Sequence, residues 1–210
     1  MKTPEHPIFL ESIEYIRSQI GLTGLNSVQQ AVLERIVHSS GDLAIQSHLR
    51  FSADACEYAI NALKNGANIL TDTYMAKEAI SPVAKRTLNS NVKCILEMAP
   101  ASIDSYSRTR SSIGMQNMWL DLENKQELLV APVVVLGSAP SALMTLLDLI
   151  EEGTKRPSVI IGMPVGFIGV SECKRRLLKS DSSHIVLEGS KGGASVAAAT
   201  VNALLRASDC

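Results

Sequence analysis

Val133-Val-Val-Leu-Gly-Ser-Ala-Pro-Ser-Ala-Leu143 decides the fold class of this chain. Four apolar residues, three of them β-branched, read as a buried strand. Gly137 and Ser138 make a turn, and Pro140 suits the first turn of a helix. Gly153 and Pro157 then mark that helix's end. The same grammar recurs twice. Val159-Ile-Ile161 precedes Gly162-Met-Pro-Val-Gly-Phe-Ile-Gly169, and Ile185-Val-Leu187 precedes Gly189-Ser-Lys-Gly-Gly-Ala-Ser195. Asn68–Thr71 and Val92–Leu96 read as two further strands. Helical segments are expected near 73–80, 110–122, 140–152, 171–180 and 195–206. Alternating strands and helices imply a parallel sheet covered on both faces, a three-layer α/β/α fold. Right-handed crossovers then bring the glycine turns to one edge, where ligands bind.

The first sixty-odd residues differ. Phe9, Ile13, Ile16 and Ile20 share one helix face, and Gly21 and Gly24 end that helix. Ser27 with Gln30 reads as a capping box for a second helix carrying Val28, Val32 and Ile36. A third helix follows Ser52, carries Cys56, Ile60 and Leu63, and stops at Gly66. The expectation is one domain over 1–210, helical over 1–66 and α/β over 67–210.

The bulk numbers exclude several classes. A length of 210 residues suits one domain with a large core. A net charge of −1 and 4% aromatic residues give no footprint for nucleic acid. Cys56, Cys94, Cys173 and Cys210 form no Cys-x-x-Cys pair, which argues against a disulfide framework or zinc site and fits a reducing cytosol. Met1–Arg17 has no apolar run of the kind a signal peptide needs. Leu128–Leu147 is uncharged and long enough to span a bilayer, but its prolines and glycine divide it into strand, turn and helix.

The glycine turns contain neither G-x-G-x-x-G nor a Walker loop, so each reads either as ordinary turn chemistry or as a ligand cradle. Lys191, beside Gly192 and Gly193 at a helix start, is a candidate carboxylate or phosphate clamp. His38 ends the second helix, where it either meets the helix dipole or acts as an acid and base near neutral pH. Arg110, in Ser107–Ser112, either grips a carboxylate or lies in a solvated basic turn. Asp72 caps the helix after its strand or orients a polar group, and sequence logic favours the cap. Met75, Met163 and Phe167 either line an apolar pocket or pack a core. His6, His48 and His184 lack metal-ligand spacing and read as structural or surface residues. No nucleophile elbow is present, and no paired acids stand out as a glycosidase set.

Taken together these stretches resemble the precorrin-8X methylmutase (precorrin isomerase) family. Ile160–Gly169 is the most specific motif. Val37–Asp42, Arg50–Ser52, Leu70–Asp72 with Met75, Thr109–Ser111, Gly137–Leu143 and Lys191–Gly193 follow in the family's order. The resemblance implies a flavodoxin-like α/β/α fold with a five-stranded parallel sheet and extra N-terminal helices. It implies an isomerase of cobalamin biosynthesis that moves a methyl group from ring carbon 11 to ring carbon 12 of precorrin-8X or cobalt-precorrin-8. The product is hydrogenobyrinic or cobyrinic acid. It also implies a cytoplasmic homodimer with a tetrapyrrole substrate, which itself carries cobalt in some members, and with no cofactor, metal site, membrane or nucleic acid of its own. His38 takes the place of the catalytic histidine that lends and recovers a proton. Substrate contacts are implied at Ser12, Asp72, Met75, Thr109, Arg110 and Ser111. They continue through Gly137, Ser138, Ala139 and Pro140, then Met163, Pro164, Val165, Gly166 and Phe167, and finally Lys191, Gly192 and Gly193. The chain departs from the family pattern at Ser138 (usually Asn), Ser141 (usually Thr), Thr71 (usually Cys), Ala194 (usually Ser) and Ala53 (commonly Pro). Losing the Asn amide removes a donor and an acceptor from a ligand-facing turn. A corrinoid carrier without turnover is the competing expectation.

Overall fold

The computed structural model describes residues 6–103, 108–125 and 129–208. Ser107, Leu128, Cys210 and the first five residues, which entered the readings above, lie outside the described residues.

All five expected strands form, as β2 (Ile69–Thr71), β3 (Val92–Cys94), β4 (Val133–Leu136), β5 (Val159–Gly162) and β6 (His184–Leu187). The expected five-stranded parallel sheet is corrected to a mixed sheet of six strands, ordered β1-β6-β5-β4-β2-β3. The added strand, β1 (Leu49–Phe51), runs antiparallel to β6, with Leu49 opposite Leu187 and Phe51 opposite Ile185. It lies inside the segment expected to be helical, which among the described residues is otherwise three α-helices with a short 3-10 turn. Three residues with Arg50 in the middle carry too little pattern to read as a strand. β6 supplies the ladder, and Ser52 extends it: its N–H donates to His184 O (2.9 Å) and its side-chain Oγ accepts from His184 N–H (2.8 Å).

Before the sheet come α1 (Pro7–Ile20) and α2 (Ser27–Ser40), and α3 (Ala55–Lys64) follows β1. The capping box of α2 is one residue earlier than expected: Asn26 accepts from Gln29 N–H and Gln29 answers to Asn26 N–H. α4 (Tyr74–Arg86) runs past the expected stop at residue 80, straight through exposed Pro82. Burial of Ile80, Val83 and Ala84 against α8 outweighs the bond lost at the proline. α5 (Arg110–Asn124), α6 (Pro140–Glu151), α7 (Val170–Lys179) and α8 (Ala194–Ser208) lie where the periodicity puts them.

Strand side chains alternate between two cores. Ile69, Val133, Val135, Ile161 and Ile185 pack with residues of α1, α2, α3, α4 and α8. Leu70, Val134, Leu136, Ile160 and Val186 pack with α5, α6 and α7, around fully buried Trp119. Both faces of the sheet are therefore covered, which explains why the central strands are continuously apolar. The uncharged run is β4, a turn and α6. Among the described residues no helix is long and apolar enough to cross a membrane.

Candidate active site

The turns after β4, β5 and β6 are stitched into one floor. Val165 N–H donates to Gly137 O (3.2 Å), Gly193 N–H to Met163 O (3.0 Å) and Gly166 N–H to Ser190 O (3.0 Å). Two glycines make this contact possible. A Cβ at Gly137 would sit 2.7 Å from Gly193 O, and one at Gly192 would sit 2.0 Å from Met163 O. Their first task is backbone-to-backbone packing between turns, a reading intermediate between ordinary turn chemistry and a cradle. Gly137, Ala139, Met163 and Pro164 are buried in this floor, whereas Ser138, Val165 and Phe167 are exposed on it. Phe167 and neighbouring Ile168 are 91% and 90% exposed, and Met75 on α4 is 72% exposed.

Asp72 follows β2, next to β4, at the point where the strand order reverses direction, which is the place where open α/β sheets bind ligands. It is fully buried. Its Oδ2 accepts from Ser138 N–H (2.6 Å) and Ala139 N–H (2.7 Å), while Oδ1 has no hydrogen-bond partner among the described residues. The cap expected for Asp72 is therefore made on α6, across the sheet. Its own following helix, α4, is capped by Thr73, whose Oγ1 accepts from Ala76 N–H at 3.2 Å. Ala139 at the α6 N-cap has no side-chain acceptor, so Asp72 supplies the charge that the helix terminus favours. Burial pushes the Asp72 carboxyl above its ordinary range, and the amide bonds oppose that rise.

Thr109 caps α5 by accepting from Ser112 N–H (3.1 Å), and its Oγ1 lies 2.6 Å from Ser141 Oγ, tying the start of α5 to that of α6. Arg110 is exposed, and its Nε donates to Pro100 O at 2.9 Å. Ser111 is half-buried beside it.

His38 is exposed in the last turn of α2, which Gly41 ends in the left-handed conformation (φ 67°). Its ring meets Phe9 edge-on at 5.1 Å between centroids, and Arg35 lies over Phe9 at 4.2 Å. With Ser12, Tyr15, Val37 and Leu43 it lines an open groove of about 560 Å³ between α1 and α2. That volume is within the range of small-molecule sites. A neighbouring cavity of about 590 Å³ shares Leu43 but has Arg50 as its one ionisable lining residue. Ser12 donates its hydroxyl to Ile8 O at 2.8 Å. Lys191 joins this groove to the floor, because its ammonium is paired with Asp42, four residues after His38.

Some residues are grouped differently from the sequence expectation. Lys191 already has a carboxylate partner. Lys174, which the sequence reading passed over, is 1% exposed and donates to Gly189 O (2.8 Å) and Lys191 O (2.7 Å). Burial brings its ammonium down to about 8. Its place in the stripe Val170, Cys173, Lys174, Leu177 was visible as a lysine where the helix period calls for an apolar residue. His184 is buried, with Nδ1 2.8 Å from Ser182 O, and burial lowers its pKa, consistent with a structural role. Burial raises the thiols of Cys56 and Cys173 to about 12 and about 11, so neither is a ready nucleophile. Among the described residues no cluster of three or more His, Cys, Asp or Glu could hold a metal ion.

The model of the precorrin-8X methylmutase family matches residues 7–207. The chain belongs to this family. A cobalt-precorrin-8 methylmutase of Synechocystis is 35% identical, with 96% of this chain and 95% of that protein covered. A precorrin-8X methylmutase of Pseudomonas aeruginosa is also 35% identical, covering 94% and 93%. The crystal structure of the Thermus thermophilus precorrin-8X methylmutase superposes with a TM-score of 0.82 at 31% identity, covering 96% and 95%. Family membership makes the chain a methylmutase, an isomerase of cobalamin biosynthesis. The competing expectation of a carrier without turnover finds no support in these relatives.

Proposed function

We propose that this methylmutase binds precorrin-8X or cobalt-precorrin-8 across the glycine-turn floor and the α1–α2 groove, with His38 as its acid and base. The observation that carries the assignment is the placement of His38: exposed, in a groove with Ser12, on a segment ion-paired to the third glycine turn. The imidazolium lends a proton to the conjugated ring, the methyl group moves from carbon 11 to carbon 12, and the imidazole recovers the proton. No atoms are gained or lost, as an isomerisation requires. Ser12, Thr109, Arg110, Ser111 and Ser138 supply polar contacts to the substrate's carboxylate fringe. Met75, Val165 and Phe167 supply apolar contact to the ring. The buried residues Asp72, Gly137, Ala139, Met163 and Pro164 act as the support beneath, with Pro140, Gly166, Gly192 and Gly193 shaping the turns.

We assign no cofactor to the protein, and cobalt, where present, belongs to the substrate. The five parallel strands, numbered among themselves, stand in the order 2-1-3-4-5, which supports a flavodoxin-like core within the six-stranded sheet. We further propose a cytoplasmic homodimer acting through one domain over 1–210. The exposed apolar residues at the floor support an interface or substrate role there. Incubation with metal-free and with cobalt-bearing precorrin-8, followed by visible spectroscopy, tests the reading. Conversion of at least one is expected, and the faster one identifies the substrate.

A further inference from the structure

Lys174, Lys191 and Asp42 form one continuous link between α7 and the chain segment that carries His38. Lys174 occupies a position where a leucine or methionine would pack, and its ammonium is buried at a desolvation cost. Both of its hydrogen-bond partners, Gly189 O and Lys191 O, are backbone carbonyls of the third glycine turn. Lys191 in turn reaches Asp42 Oδ2 through its side chain, spanning 149 positions of sequence. Asp42 Oδ1 accepts from Ala44 N–H at 2.9 Å, and Asp42 N–H donates to Ser40 Oγ at 3.2 Å. Gly41 releases the chain from α2 in a left-handed conformation, so helix geometry no longer constrains its direction. Asp42 is the next residue and is anchored on both sides. The Asp42–Lys191 pair is half exposed, so it contributes little to stability. Its consequence is geometric.

We propose that Lys174 and Asp42 are positioning residues for the methylmutase reaction. Lys174 fixes the third turn, Lys191 carries that position across to Asp42, and Asp42 sets the end of α2, with His38, beside the glycine-turn floor. The proposal rests on His38 being the acid. The test compares wild type, Asp42→Asn, Lys174→Met, their double variant and His38→Ala by steady-state turnover, alongside hydrogen exchange of the Ser39–Ala44 amides. A misplaced acid is expected to lower kcat about 10-fold or more in each single positioning variant, with KM changed less than about 3-fold. Exchange at Ser39–Ala44 quickens in both, and the double variant is no slower than the slower single, because both break one link. Circular dichroism checks folding, and the surface variant Asp42→Asn decides the matter where Lys174→Met does not fold. Unchanged kcat in Asp42→Asn, or multiplied losses in the double variant, overturns the proposal. If His38→Ala keeps wild-type turnover, the acid assignment falls instead, and the link then stands or falls on exchange at Ser39–Ala44.

Discussion

His38 is exposed in the last turn of α2, four residues before Asp42. Its ring touches Phe9 edge-on, and Phe9 is in turn covered by Arg35. Asp42 nearby is tied more firmly: its hydrogen bond from Lys191 holds the carboxyl below the usual range, with burial opposing, and Ala44 N–H and His48 assisting. A depressed carboxyl contributes its full stabilisation above the unfolded value, about pH 4, and loses it as pH falls through the lowered value. Carbon-13 titration of Asp42 should therefore show a midpoint below that of free aspartate, and Lys191→Met should bring it back up. An unmoved midpoint in that variant would remove Lys191 as the cause. Gly192 offers a different residue-scale test. Alanine there would press its Cβ into Met163 O, so Gly192→Ala should lower stability by roughly 1–3 kcal/mol, read as a fall in Tm. An unchanged Tm would mean that the turns are not packed as described.

At the scale of the element, α6 depends on a residue from another strand. Asp72→Ala removes the acceptor of the buried Ala139 N–H and the partly buried Ser138 N–H and should cost about 1–3 kcal/mol in chemical denaturation. Asp72→Asn keeps an acceptor and removes a buried charge, so it should cost less than Asp72→Ala. Equal losses would show that the carboxylate's charge, rather than its acceptor, is what α6 needs. This cap also shows where sequence reading stops. The five strands and the helices after them were legible because β-branched runs, glycines and prolines act over a few residues. β4 with Pro140 is the clearest instance. Asp72 was legible as a cap, but its object was not, because β2 and β4 become neighbours only through the sheet order. β1 was invisible for the same reason: three residues become a strand by borrowing β6. The candidate site divides likewise. His38 was open between a helix-dipole partner and an acid–base group on its position alone, and the family resemblance decided for the second. Lys174 had a local sign, a charge in an apolar stripe, whose meaning required the third turn to be in place.

At the scale of the whole molecule, two well-packed faces leave the edge formed by the three glycine turns open. Three turns locked by backbone contacts give that edge a rigid floor, and the exposed Val165, Phe167 and Ile168 give it an apolar surface. If these residues lie at a dimer interface, Phe167→Asp should shift the mass measured by light scattering from dimer to monomer. A dimer that persists would leave Phe167 to the substrate. The central claim is that the molecule moves a methyl group on precorrin-8X or its cobalt form using His38. The most direct measurement is the visible spectrum of each substrate incubated with wild type and with His38→Ala, with bound pigment quantified after gel filtration. Conversion by wild type is expected, and pigment bound but unconverted by His38→Ala. Conversion by His38→Ala at the wild-type rate would contradict His38 as the acid and base.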